Sequence, residues 1–313
     1  MNFKKSLLGL ILLGFGLLTP THLVKATTTD SVQPQTLNVL SYNIYMRPKF
    51  LFWDGQDVRS RLLPNKIQGY DVIIFQEAFD NSVRNNLLNS LKSEYPYQSK
   101  ILGSDRGIKQ DGGVIIVSKW PIEAEDQRLF GNVCAAEDCL ADKGVLYAQI
   151  NKQEQLYHLF GTHAQAGRNR RTTREQQFRI IKSFIDSKQI PAEQPVIIGG
   201  DFNVNQFDRS AYESMKTILD VTQPPSTGLQ YTSDGQINDL KKGNNQSYLD
   251  YIFYSNNHLR PVKAVNEVLL IRADKEWKKT GETNQQDLSD HYPVYGRFEF
   301  GVCNCWLKYG IIS

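Results

Sequence analysis

Pro195-Val-Ile-Ile-Gly-Gly-Asp-Phe-Asn203 is the stretch on which the reading of this chain turns. Val196, Ile197 and Ile198 make a short apolar run of the length that fits a strand buried on both faces, and Gly199-Gly200 removes side chains where the chain turns. Asp201 and Asn203 follow two residues apart, so both can point into one pocket at the mouth of the strand and supply a carboxylate and an amide there. An Asx-type turn closing a strand explains the same residues equally well. The balance shifts because other strand ends in the chain finish in the same chemistry.

Working outward, Leu37-Asn-Val-Leu-Ser-Tyr-Asn-Ile44 reads as the first strand and carries Asn43 near its end. Tyr70-Asp-Val-Ile-Ile-Phe-Gln-Glu77 is an apolar run that stops on Glu77, a carboxylate that needs a partner because burying it uncompensated costs several kcal/mol. Residues 112–118, 144–151 and 155–162 read as further strands. His163 leaves the last of these, whereas His158 lies inside it and reads as structural. Tyr248-Leu-Asp-Tyr-Ile-Phe-Tyr254 puts Asp250 in the middle of an aromatic strand, and Leu288-Ser-Asp-His-Tyr-Pro-Val294 puts Asp290 and His291 just before a closing strand. Helices are expected over 57–68, interrupted at Pro64, and over 81–95, 170–189 and 208–220, with 221–246 a long polar loop. The basic start of the third helix, Arg168 to Arg171, reads as a solvated face.

The ends of the chain read differently. Lys4 and Lys5, the apolar run from Leu7 to Leu18, and Val24-Lys-Ala26 fit a secretory signal over 1–26 cleaved after Ala26, a retained anchor being the other reading. Residues 27–36 form a flexible lead-in, 37–300 a single domain and 301–313 a tail. The signal takes three of the 36 basic residues, which leaves 33 against 33 acids and no global basic field. A grip on nucleic acid through phosphates normally needs such a field, so a nuclease is disfavoured. Cys134 and Cys139 are close enough for a local bridge, a Cys303–Cys305 bridge would close a strained ring, and the spacings are poor for zinc; connectivity stays open.

Asn43, Glu77, His163, Asp201, Asn203, Asp250, Asp290 and His291 thus form one candidate set. Hard oxygen donors suit Mg²⁺, and two histidines beside them suit phosphate-ester cleavage, one activating water and the other stabilising the phosphoryl charge. No His-Glu-x-x-His run points to a zinc hydrolase.

Ser-Tyr-Asn-Ile44, Phe-Gln-Glu77, Gly-Thr-His163, Gly-Gly-Asp-Phe-Asn203 and Ser-Asp-His-Tyr-Pro-Val294, in this order, resemble the endonuclease/exonuclease/phosphatase superfamily. Phe-Gln-Glu-Ala-Phe-Asp80, Asp-Gly-Gly-Val-Ile-Ile-Val-Ser-Lys-Trp-Pro-Ile122 and Gly-Thr-His-Ala-Gln-Ala166 are similar to the secreted bacterial neutral sphingomyelinases. The resemblance covers about 37–300. It implies an α/β, DNase I-like four-layer sandwich, with two packed mixed β-sheets flanked by helices. It also implies a secreted monomer that hydrolyses sphingomyelin to ceramide and phosphocholine at a membrane surface with Mg²⁺. Glu77 and Asn43 would hold the metal, Asp201 and Asn203 would contact metal, water or phosphate, and Asp290 would support the metal. His291 would be the general base oriented by Asp250, and His163 would donate to the phosphate. Asn81 and Asp111 match an edge site for a second metal, although Gln110 stands where a Glu is expected. Haemolytic relatives carry a membrane-entering aromatic hairpin where this chain has the polar stretch 274–287 with only Trp277, so weak insertion is expected. A secreted nuclease of the same fold and a non-catalytic, surface-binding toxin-like protein remain the alternatives.

Overall fold

Short apolar runs recur along the chain, and each becomes a strand covered on both faces: Val72–Gln76, Ile115–Ser118 and Val196–Asp201 are buried throughout. The computed structural model describes residues 35–278 and 284–301. The expected signal segment, most of the lead-in, and Cys303 and Cys305 lie outside the described residues.

In chain order, β1 (Gln35–Asn43), α1 (Gln56–Leu62), β2 (Val72–Gln76), α2 (Asn81–Leu91), β3 (Tyr97–Gln98) and β4 (Ile115–Ser118) come first. Next are β5 (Ile122–Leu129), β6 (Gly144–Lys152), β7 (Gln155–His163), α3 (Arg171–Ser187), β8 (Val196–Asp201) and α4 (Arg209–Leu219). The last third adds β9 (Val221–Thr222), β10 (Ser226–Gly228), β11 (Ser233–Asp234), β12 (Gln246–Ser247) and β13 (Asp250–Ser255). It closes with β14 (Lys263–Val268), β15 (Arg272–Lys278), β16 (Asn284–Asp287) and β17 (Val294–Phe300). One mixed sheet runs β10-β14-β17-β1-β2-β4-β3 and the other β5-β6-β7-β8-β13-β9.

The two sheets face each other through Ile74, Val114 and Ile116 on one side and Leu159, Ile197 and Ile252 on the other. Helices α1 and α2 cover the outer face of the first sheet with Leu62, Val83, Leu87 and Leu91, and α3 covers the second with Phe178, Ile181 and Phe184. This is the DNase I-like four-layer sandwich.

Several local readings change. Gly199 and Gly200 are inside β8 rather than at a turn. A Cβ on Gly199 would lie 2.9 Å from Ile74 Cδ1 and one on Gly200 would lie 2.0 Å from the Thr162 carbonyl oxygen, so the glycines permit close approach of the opposite sheet and the neighbouring strand. Asp250 opens β13 instead of sitting mid-strand. Gln35 and Thr36 belong to β1. Helix α1 gives way at Leu63 to a 3₁₀ turn containing Pro64, the break that the proline dictates. Strand β5 has no apolar alternation because it is a sheet edge paired only with β6 and largely exposed, so its sequence carries no burial signal. His158 is structural as expected: its ring is buried between the Tyr147 hydroxyl at 2.8 Å and Gln194 Oε1 at 2.6 Å.

Gly200→Ala should therefore cost more than about 3 kcal/mol, since both backbones at the contact are locked in the β7–β8 ladder. Gly243→Ala, with open space around it, should cost only about 1 kcal/mol, from its positive φ. Urea unfolding of both variants checks this, and equal losses would show that close approach does not dictate Gly200.

Candidate active site

The strand directions bring the expected residues to one end of the sandwich. In the first sheet β1 runs parallel to β2, so Asn43 ends level with Gln76, and antiparallel β17 starts beside Ser41, just after His291. In the second sheet His163 is level with Asp201, and Asp201 with Asp250. Glu77 follows β2 in the left-handed region at φ 55, and Asn203 follows β8 at φ 52; both leave the ladder as the chain turns.

Asn43 links the sheets. Its Nδ2 donates to Glu77 Oε1 at 2.9 Å and to Asp201 Oδ2 at 3.1 Å, while its Oδ1 accepts from the Tyr45 amide at 3.1 Å. Both Nδ2 hydrogens are committed, so Asn43 orients the two carboxylates, and Oδ1 keeps a second acceptor position beside the bond from Tyr45. Ser289 donates its hydroxyl to the Asn43 carbonyl at 2.6 Å, which ties the segment carrying Asp290 and His291 to the end of β1.

His291 Nδ1 lies 2.8 Å from Asp250 Oδ2 and 3.9 Å from Asp201 Oδ2. The short contact assigns the Nδ1 hydrogen to Asp250 and leaves Nε2 for water. Thr232, a residue that the sequence did not single out, fixes the start of β13 by accepting from the amides of Leu249 and Asp250. Asn203 is held by donation from Nδ2 to the Ala164 carbonyl at 3.1 Å.

The site is strongly acidic for a buried one. Burial, reinforced by Asp290, raises the Glu77 carboxyl above its ordinary range. Burial and the neighbouring Asp250 charge push Asp201 up to about 7. Burial alone would lower His291, but Asp250, Asp290 and Asp201 outweigh it and hold the imidazole up at about 10. Asp250 Oδ1 and Asp290 Oδ1 are buried with no hydrogen-bond partner among the described residues. Clustered carboxylates with orphaned oxygens fit a hard divalent cation. One oxygen or nitrogen each from Asp201, Asp250 and His291 lie within 4.8 Å of one another. Within that trio His291 and Asp250 are bonded to each other, while Asp250 Oδ1 stays open.

His163 differs from His291. Burial first, and then the charges of Lys143 and His291, drop it well below its ordinary value, so it is neutral. Lys143, also missed from sequence, sits 3.4 Å from His163 Nε2, 3.3 Å from the Ala164 carbonyl and 2.9 Å from Asp138. Donation from Lys143 to Nε2 places the ring hydrogen on Nδ1, which has no protein partner among the described residues. Asp138 lies within the loop closed by the Cys134–Cys139 disulfide, and Gln165 pins that loop through both the amide and the carbonyl of Ala135. Lys143 stands directly before β6 in Ala-Asp-Lys-Gly144, a stretch similar to the neutral sphingomyelinases that gave no sign of this role.

The edge position does not fit a metal. Arg84, on the first turn of α2, donates to Asp111 Oδ2 at 2.9 Å, to the Ala78 carbonyl at 2.6 Å and to Asn81 Oδ1. The other Asp111 oxygen accepts from the Gly113 amide. The guanidinium occupies the groups that a second cation would use, and neutral Gln110 adds no charge to compensate.

A model of the endonuclease/exonuclease/phosphatase family matches residues 40–291. The chain belongs to that family. It is 36% identical over 317 residues to a sphingomyelinase C of Bacillus cereus, covering 90% of this chain and 94% of that protein. It is 37% identical over 286 residues, 83% of this chain, to a sphingomyelinase C of Leptospira interrogans. It spans about half the length, 51% and 46%, of the two Leptospira proteins it matches. Among solved structures, a Staphylococcus aureus beta toxin mutant with bound magnesium ions superposes with TM-score 0.78 at 33% identity, over 84% of this chain and 99% of that one.

Equilibrium dialysis with Mn²⁺ as a Mg²⁺ probe tests the Arg84 geometry. Arg84→Met combined with Gln110→Glu should bind one more ion per chain than the unmodified protein. An unchanged stoichiometry would mean that the guanidinium is not what fills this position.

Proposed function

We propose that the chain is a secreted, Mg²⁺-dependent sphingomyelin phosphodiesterase that releases ceramide and phosphocholine, acting as a monomer at a membrane surface. The observation that carries this is the His291–Asp250 pair at 2.8 Å, set beside the Glu77, Asp201 and Asp290 carboxylates at the junction of the two sheets. Its relatives' names supply the substrate class.

When bound by Glu77 with Asp290, Mg²⁺ would relieve the excess negative charge, bring His291 towards neutrality and polarise the phosphodiester. Nε2 of His291 removes a proton from water, with Asp250 holding the imidazole in the tautomer that leaves Nε2 open and stabilising the imidazolium that forms. The water oxygen bonds to phosphorus as the bond from phosphorus to the ceramide oxygen breaks, and that oxygen leaves as the hydroxyl of ceramide by taking a proton from solvent water, while His291 returns its own to solvent. His163 donates from Nδ1 to the charge gathering on the phosphoryl oxygens, and Lys143 keeps that hydrogen on Nδ1. Asn203, with its amide nitrogen occupied, turns its oxygen towards water or metal, while Asn43 keeps Glu77 and Asp201 apart at fixed spacing.

Hydrolysis of sphingomyelin should vanish in excess EDTA, return with Mg²⁺ and be lost in Glu77→Ala. Undiminished turnover in EDTA would reject the reading, and cleavage of plasmid DNA in preference to sphingomyelin would favour the nuclease. His291→Ala should lower kcat by about 10²–10⁴-fold with the fold intact, more than Asp250→Asn, which misorients the base without deleting it. Lys143→Met should lower kcat by roughly 10-fold or more with KM little changed, because it loosens a donor that acts on the transition state.

A further inference from the structure

The loop from Pro48 to Asp54 leaves three large apolar side chains in water: Phe50 is 76% exposed, Leu51 60% and Trp53 72%. Consecutive exposure of this kind is unlike the scattered single apolar residues of an ordinary surface. The loop is also held in shape. Arg47 lies over the Tyr45 and Phe52 rings at 4.4 and 3.8 Å and pairs with Asp54 at 2.7 Å. The buried Gln56 side chain donates to the carbonyls of Arg47 and Phe52 and accepts from the Asp54 amide, closing the loop on itself. Tying Phe52 inward in this way turns its neighbours outward.

The same loop is bonded to both halves of the active site. The amide of Met46 donates to the Glu77 carbonyl at 2.9 Å, and that of Lys49 to Asp80 at 2.9 Å, just past Glu77. Arg59, fully buried, donates to the carbonyls of Ile44 and Leu288, joining the end of β1 to the segment before His291. The apolar tip thus stands at the catalytic end of the sandwich. The β15–β16 hairpin beside it is not an alternative. Its one aromatic residue, Trp277, is buried, donates to the Asp287 carbonyl at 3.2 Å and packs on Gly55.

We infer that Phe50, Leu51 and Trp53 form the element that docks this protein on a bilayer of zwitterionic choline lipid, in place of a hairpin tip. The inference rests on the proposed phosphodiesterase reading for its substrate. Charge favours this partner over an acidic one: the one lysine of the loop, Lys49, is paired with Asp57 at 2.9 Å, and Arg47 at its base is paired with Asp54 at 2.7 Å. Apolar insertion supplies the attraction, and the fixed loop loses little freedom on docking. With docking centred here, the hydrolytic site faces the head groups.

The test is sedimentation with sphingomyelin/phosphatidylcholine vesicles, alongside turnover on detergent-dispersed sphingomyelin. Phe50→Ser/Leu51→Ser/Trp53→Ser should lower vesicle binding on the order of 10²-fold and leave dispersed-substrate turnover unchanged. Val262→Ser removes an equally exposed apolar side chain at the opposite end of the sandwich, beside the end of β17, and should change neither. Brominated phosphatidylcholine should quench tryptophan emission in the unmodified protein and much less in Trp53→Phe, a readout that does not depend on the triple variant folding.

Vesicle binding unchanged in the triple variant, or equal quenching in Trp53→Phe, overturns the inference and leaves the catalytic reading standing. A parallel fall in dispersed-substrate turnover would overturn it too, by making the loop part of the substrate site. So would a dimer without vesicles that the triple variant abolishes. No sphingomyelin hydrolysis by the unmodified protein would sink the catalytic reading, while vesicle binding lost in the variant would still uphold the docking loop.

Discussion

The amide of Asn43 is the interaction on which the site depends. It belongs to one sheet and donates to Glu77 of that sheet and to Asp201 of the other. A four-layer sandwich could keep its core while its sheets slid slightly, because apolar contact is non-directional. Hydrogen bonds are directional, so one amide with both hydrogens committed across the gap sets the relative position of two carboxylates that otherwise repel. The glycines at 161 and 199 bring the sheets close enough, through Ile74, for this span to be made.

Around that bridge the protein gathers more acid than burial alone would tolerate. Glu77, Asp201, Asp250 and Asp290 share one pocket, and the response of the groups follows from it: carboxyls move up, and His291 is held in its charged form by its neighbours. His163 is neutral because burial, and then the like charges of Lys143 and His291, disfavour its imidazolium. Two imidazoles of one site are thus held in different states, one charged and one neutral. The disulfide loop contributes indirectly, by carrying the carboxylate that fixes Lys143.

The same economy appears at the periphery. At the edge position a guanidinium answers Asp111, so charge balance is reached there without a second ion. At the rim, polar strands and a buried Trp277 fill the hairpin, and the apolar surface is displayed by the neighbouring loop. Each is a local exchange of one physical solution for another within an unchanged fold.

The amino-acid sequence by itself determined which strands are buried, since runs such as 72–76 and 115–118 can be stable only when covered on both faces. It also located the chemistry, because Glu77, His163, Asp201 and His291 each interrupt or end an apolar run where a polar side chain has no packing role. Edge strands such as β5 were illegible, being half in water with no burial pattern to select their residues. Only the tertiary structure decided that Asn43 bridges the two sheets, that Gly199 and Gly200 serve close approach, that Lys143 and Thr232 belong to the site, and that Arg84 fills the edge position. The reason is common to all of them: these are contacts between residues 18 to 158 positions apart, or steric limits between neighbouring strands and facing sheets, and nothing in a local stretch of chain encodes where its distant partner will lie.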